Sequence, residues 1–310
     1  MNLKQVILVS LAMLIALTIV ACGTTSPVVT PTPENTLLPT VTPTLENTPS
    51  PSTSLSTTPT MKGHIDVGGY MLAYQCFGQG TPTVIVEAAL GDQPTVSKTW
   101  KQVTEKIQTV TRICIYDRAE VRTSQDIAQN LHVLLSKIPL PGPYILVGHS
   151  IGGYHVRIFA HLYPQDVAGV ILVDTTHPDP MKEYAKAYPT YTPNELPSIT
   201  EGRAVIEDPT PAVDVIVGDF DVIASSEQVR QAGSLGDIPL IVISHSPTAD
   251  RQEGQKLFSE VWQRLQADLA TLSSKGILIT AKYAGHYIPV EEPQIIIDAI
   301  TQMVEEIRKQ

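Results

Sequence analysis

The sequence predicts an α/β fold, with a mostly parallel, twisted sheet and helices on both faces. Three observations lead there. Short runs rich in Val and Ile recur from residue 61 onward, and amphipathic helical patterns separate them. One run ends in Val147-Gly148-His149-Ser150-Ile151-Gly152-Gly153, a serine set among glycines where a strand turns into a helix. Alternating strands and helices imply a parallel sheet, because each parallel connection must cross over one face.

The strand-like runs are 69–77, 83–87, 112–116, 144–147, 169–173, 240–244 and 277–281. Most are apolar throughout, as strands covered on both faces should be. Between them, 124–137 carries Ile127, Leu131, Leu134 and Leu135 on one helical face. Residues 252–272 repeat Leu257, Val261, Leu265, Leu269 and Leu272 at helical spacing, and 294–308 closes the chain with Ile296, Ile297, Ile300, Val304 and Ile307.

The first 60 residues read differently. Lys4 precedes an apolar stretch, 6–20, broken only by Ser10 and Thr18, and Ile19-Val20-Ala21-Cys22-Gly23 follows. This is shorter than the roughly 20 apolar residues of a membrane span, and it reads as an export signal over 1–21. The residues before Cys22 resemble a bacterial lipobox. That resemblance implies cleavage before Cys22 and lipid attachment to it, leaving the protein on the outer side of the cytoplasmic membrane. Residues 22–60 are dominated by Thr, Pro and Ser and read as a disordered tether, since they hold too little apolar surface to fold. The folded domain is then 61–310. Its expected membrane contact runs only through the lipid, and a monomer is expected.

A formal net charge of -10 and the lack of any basic run argue against a nucleic-acid partner, which needs clustered Lys and Arg. No Cys/His cluster has zinc spacing, so the sequence implies no metal, and nothing in it calls for a cofactor.

Gly148-His149-Ser150-Ile151-Gly152 is a G-x-S-x-G elbow in its required setting, strand before and helix after. Such a turn lifts the serine hydroxyl to the carboxyl edge of the sheet. The backbone N–H of Ile151 and the positive end of the next helix then face any oxyanion formed there. A serine needs a histidine base. His286 lies between the last strand-like run and the last helix, where the base belongs. His245, at the end of 240–244, is its rival. His149 reads as a packing or hydrogen-bonding residue of the elbow, and His155 and His161 fall on the following helix.

Several segments together resemble the α/β-hydrolase superfamily, in a bacterial serine-esterase-like pattern. They are Thr83-Val84-Ile85-Val86-Glu87-Ala88 with Leu90-Gly91, Tyr116-Asp117-Arg118-Ala119, the stretch from Pro143 to Ser150, Val170-Ile171-Leu172-Val173-Asp174, and Gly285-His286. The resemblance implies an α/β-hydrolase fold with a cap over about 178–237, containing Tyr184, Tyr188 and Tyr191. It implies that Leu90 supplies the second oxyanion N–H. It also makes the second and fourth strands neighbours, so that Cys76 and Cys114 either form a bridge or stay as two buried thiols. Similar proteins follow Tyr-Asp-Arg-Ala with a longer glycine-containing loop. Here Glu120-Val121-Arg122-Thr123 runs almost straight into the helix, which should open that side of the pocket.

Two positions can hold the triad acid. Asp174 ends the strand after the nucleophile helix, and Asp250 follows 240–244, where most relatives carry it. Position favours Asp174; Asp268 lies within a helical pattern and reads as solvated. The expected protein is a serine hydrolase acting on small-molecule carboxylic esters through Ser150, His286 and Asp174. The alternatives are a hydrolase of amides or lactones, and a binding or sensing protein that kept the fold and lost the chemistry. Dehalogenases and epoxide hydrolases of the superfamily use aspartate where Ser150 stands, which argues against those activities.

Overall fold

A computed structural model describes residues 59–180, 183, 186, 216–217, 220–247 and 253–310. The segments expected to be an export signal, with Cys22, nearly all of the expected tether, most of the expected cap insertion with Tyr184, Tyr188 and Tyr191, and Asp250 lie outside the described residues.

The elements in chain order are β1 (Met61–Asp66), β2 (Met71–Phe77), β3 (Val84–Glu87), α1 (Lys101–Ile107), β4 (Ile113–Tyr116), α2 (Ser124–Lys137), β5 (Tyr144–His149), α3 (Gly152–Leu162), β6 (Val167–Val173), β7 (Ile216–Val217), β8 (Phe220–Asp221), α4 (Val222–Ala232), β9 (Leu240–Ser244), α5 (Glu253–Ala270), β10 (Gly276–Thr280), α6 (Ile288–Glu291) and α7 (Pro293–Ile307). Eight strands form one sheet in the order β1-β2-β4-β3-β5-β6-β9-β10. β2 is antiparallel to both its neighbours, and from β4 to β10 all pairings are parallel. β7 and β8 make a separate two-stranded ribbon.

The central strands are buried along almost their whole length, and their apolar side chains alternate between two cores. Ile85, Leu146, Val170, Leu172, Leu240 and Val242 join Leu131, Leu134, Val156 and Phe159 of α2 and α3 on one face. Val84, Val86, Ile145, Val147, Ile171, Val173, Ile241 and Ile243 join Val103 and Ile107 of α1 and Ile296, Ile300 and Val304 of α7 on the other. Each such buried aliphatic contributes about 1.5–3 kcal/mol. Both faces therefore anchor the strand ends that carry the site.

The predicted runs differ from the strands mainly at their ends. The run at 69–77 starts as a strand only at Met71, because Gly68 and Gly69 form a positive-φ turn whose N–H groups donate to Asp66 Oδ1. β1 escaped the sequence reading because it is an edge strand whose residues are half-buried or exposed, with Lys62, His64 and Asp66 interrupting its apolar signal. α1 has few apolar residues and too few turns to show a period. α2 begins where expected, on a capping box: Asp126 N donates to Thr123 Oγ1, and Thr123 N donates to Asp126 Oδ2.

Cys76 and Cys114 face each other directly in the β2–β4 register, with Cα atoms 4.0 Å apart, and their sulfurs are joined. Of the two states left open by the sequence, the structure draws the bridge. Thiol titration in denaturant without reductant, on protein with Cys22 replaced, is expected to find no free thiol. Two titrating thiols would exclude the bridge.

Candidate active site

Ser150 stands between β5 and α3 with φ 56°, and Ser150 N donates to Val173 O. The elbow closes because two neighbours lack side chains. A Cβ on Gly148 would lie 2.8 Å from the backbone of Gly152, and one on Gly152 would lie 2.3 Å from Glu87 O. The second contact presses the loop after β3 against the start of α3. Leu90 sits in that loop and Ile151 follows the serine, so the two oxyanion candidates come from touching segments.

His286 Nε2 is 3.0 Å from Ser150 Oγ, and His286 Nδ1 is 2.7 Å from Asp174 Oδ2. An ionised carboxylate only accepts, so Nδ1 carries the proton and Nε2 offers a lone pair to the serine hydroxyl. Among the described residues, Ser150 and Asp174 are the two non-glycine positions with positive φ, Asp174 at 43°. Such backbones cost about 1–3 kcal/mol each and cluster at functional sites. Asp174 is fully buried. Burial opposes its charge, but the charge and hydrogen bond of His245, together with those of His286, hold its carboxyl well below the usual carboxylate range.

His245, the rival for the base, is not beside the serine hydroxyl. Its Nδ1 lies 2.9 and 3.0 Å from the two oxygens of Asp174, and its backbone N donates to Oδ1 at 3.0 Å. Trp262 Nε1 donates to the same Oδ1 at 2.8 Å. Sequence reading missed Trp262 because it lies on α5, a turn of helix with no motif, far along the chain from Asp174.

His149 takes the hydrogen-bonding role expected of it. Its Nε2 donates to His286 O at 2.9 Å. Burial, with the charge of His286 adding to it, pushes the ring down to about 3, so it stays neutral at neutral pH. Glu291 and Glu292 were not singled out in the sequence. Gly285 N donates to Glu291 Oε2, and Tyr283 N and Ala284 N donate to Glu292 Oε2, which ties down the loop carrying His286. Asp268 is 64% exposed, as expected, and pairs with His177 Nε2 at 3.0 Å.

The Tyr116-Asp117-Arg118 motif clamps the β3 loop. Tyr116 Oη donates to Glu87 Oε1, Thr95 N donates to Asp117 Oδ1, and Arg118 donates to the carbonyls of Ala88 and Ala89. The segment after it borders an open cavity of about 530 Å³ lined by Gly68, Tyr70, Val121, Arg122 and Asn130 among others. No triad candidate lines that cavity.

Glu87 lies fully buried beneath this loop. Burial pushes its carboxyl up to about 8; Arg118 opposes this, but its single contact to Glu87 is 3.4 Å because its shorter bonds go to carbonyls. The folded protein therefore holds a proton on Glu87 that the unfolded chain releases near 4.5. That contribution to stability is present in full below about 4.5 and is lost as pH rises toward 8. Glu87→Gln fixes the neutral form. The Tm of Glu87→Gln minus that of the wild type is expected to rise between pH 5 and pH 8, measured by thermal unfolding at each pH. A flat difference would place an ionised carboxylate there.

A family model described as alpha/beta hydrolase fold matches residues 98–202. An uncharacterized protein of Bacillus subtilis (strain 168), YqjL, is 28% identical over 228 residues, covering 71% of this chain and 82% of its own length. A thermophilic esterase from Thermogutta terrifontis superposes with a TM-score of 0.53 at 19% identity, over 80% of this chain and 99% of that one. A haloalkane dehalogenase loop variant from Bradyrhizobium elkanii superposes with a TM-score of 0.56 at 14% identity, over 80% and 97%. The sheet order, the elbow and these matches give the chain an α/β-hydrolase fold.

Proposed function

We propose that this protein is a serine hydrolase that cleaves carboxylic esters through an acyl-enzyme. The observation that carries the reading is the continuous hydrogen-bonded line from Ser150 Oγ through His286 to Asp174, at 3.0 and 2.7 Å, on an elbow at the sheet's carboxyl edge. Ser150 Oγ attacks the ester carbonyl while His286 Nε2 takes its proton. The tetrahedral oxyanion is stabilised by the N–H groups of Ile151 and Leu90 and by the N-terminus of α3. His286 then protonates the leaving alcohol, and Asp174 stabilises the imidazolium throughout. Water, deprotonated by His286, releases the acid and restores Ser150.

The structural neighbours include an esterase and a dehalogenase, so their chemistry does not discriminate. A serine at the elbow, where superfamily dehalogenases carry aspartate, favours acyl transfer. A fluorophosphonate probe is expected to label Ser150 in the wild type. On nitrophenyl esters of graded chain length, Ser150→Ala and His286→Ala should each lower kcat by about 10⁴–10⁶-fold, and Asp174→Asn by about 10⁴. Well-folded protein that neither labels nor turns over any ester would favour the binding or sensing alternative. A near-normal Asp174→Asn beside an inactive Asp250→Asn would move the acid to Asp250.

We further propose that the protein is exported and anchored by lipid on Cys22. Among the described residues no helix is long and apolar enough to cross a membrane. Metabolic labelling with a radioactive fatty acid is expected to tag the wild type and to miss Cys22→Ala; equal labelling of both would remove the anchor.

A further inference from the structure

The carboxylate of Asp174 receives more donors than a partner for one histidine requires. Its Oδ2 takes the proton of His286 Nδ1 at 2.7 Å. Its Oδ1 takes Trp262 Nε1 at 2.8 Å and His245 N at 3.0 Å, and His245 Nδ1 spans both oxygens at 2.9 and 3.0 Å. Because the carboxylate only accepts, Nδ1 of His245 must also carry a proton. Two imidazoles thus share one buried acid.

We infer that His245 is a positioning residue for Asp174, holding the carboxylate toward His286. This rests on the reading of Ser150, His286 and Asp174 as a triad.

The fold sets the arrangement. β6 and β9 run parallel with Val173 opposite Ile243, and Asp174 N donates to Ile243 O at 2.7 Å. His245, just past the end of β9, therefore arrives beside Asp174. Its own backbone is fixed in turn: Gln263 Nε2 donates to His245 O at 2.8 Å, and Ser244 Oγ donates to Gln263 Oε1 at 3.1 Å. The Trp262 ring stacks over His245 and meets His286 edge-on, with centroids 6.1 and 6.2 Å apart. The acid stands on a strained left-handed backbone, so donors on Oδ1 are what keep Oδ2 aimed at His286.

Titratable groups near this cluster include His149, whose ring lies 5.1 Å from that of His286, and Glu291 and Glu292, which follow His286 and accept from the N–H groups of the loop before it.

The test uses His245→Leu, His245→Asn and Trp262→Phe, with active sites counted by fluorophosphonate. Asn places a neutral donor near the position of Nδ1. The NMR resonance of the His286 Nδ1 proton reads its hydrogen bond to Asp174 and needs no substrate, so it stands apart from whether the protein hydrolyses esters. His245→Leu should move that resonance upfield as the bond loosens. Its kcat should fall by roughly 10–100-fold with KM nearly unchanged, the usual scale for a group that orients a catalytic one. His245→Asn should restore most of the resonance position and of kcat, and Trp262→Phe should move the resonance in the same direction as His245→Leu. The inference is overturned if the resonance keeps its wild-type position in all the folded variants, even where their activity or Tm falls. Ester hydrolysis that survives Ser150→Ala would instead overturn the triad reading itself.

Discussion

A buried negative charge organises the carboxyl edge of this sheet. Removing an isolated carboxylate from water costs several kcal/mol even after relaxation, so Asp174 persists as an anion only where donors meet its oxygens. Those donors come from the end of β9, from α5 and from the loop between β10 and α6. One carboxylate thus ties together segments about 70 to 110 residues away in the chain. The parallel register of β6 with β9, and of β9 with β10, brings their carboxyl ends to one edge, so the same hydrogen bonds that build the sheet also place the donors.

The serine side of the site depends on close backbone approach rather than on charge. Gly148 and Gly152 let the elbow fold against the end of β3. The loop beyond β3 is held by the Tyr116-Asp117-Arg118 motif, whose side chains bond Glu87, Thr95 and the carbonyls of Ala88 and Ala89. Arg118 spends its best bonds on carbonyls and leaves Glu87 poorly compensated, which is why that buried acid favours its neutral form. The motif therefore acts through the loop it holds.

The fold hosts several chemistries on one scaffold, and this chain superposes on an esterase and a dehalogenase with TM-scores of 0.53 and 0.56. What separates such proteins is the group at the elbow and the hydrogen bonds around it. Here that group is a serine with a histidine in line, and the aspartate that bonds this histidine stands at the end of β6. The residue past β9 is instead a histidine that bonds the acid.

The sheet core, the main helices, the elbow and the candidates Ser150, His286 and Asp174 were legible in the sequence. Their signals are local: a run of Val and Ile, a helical repeat, a glycine-serine turn, an aspartate at a strand's end. β1 and α1 were not, because an edge strand with polar residues and a helix of few turns carry no clear period. The roles of His245, Trp262, Glu291, Glu292 and Arg118 emerged only with the tertiary structure. Each bonds a group brought near by strand register or helix packing, and a hydrogen bond formed across the fold leaves no periodic trace in the residues that make it.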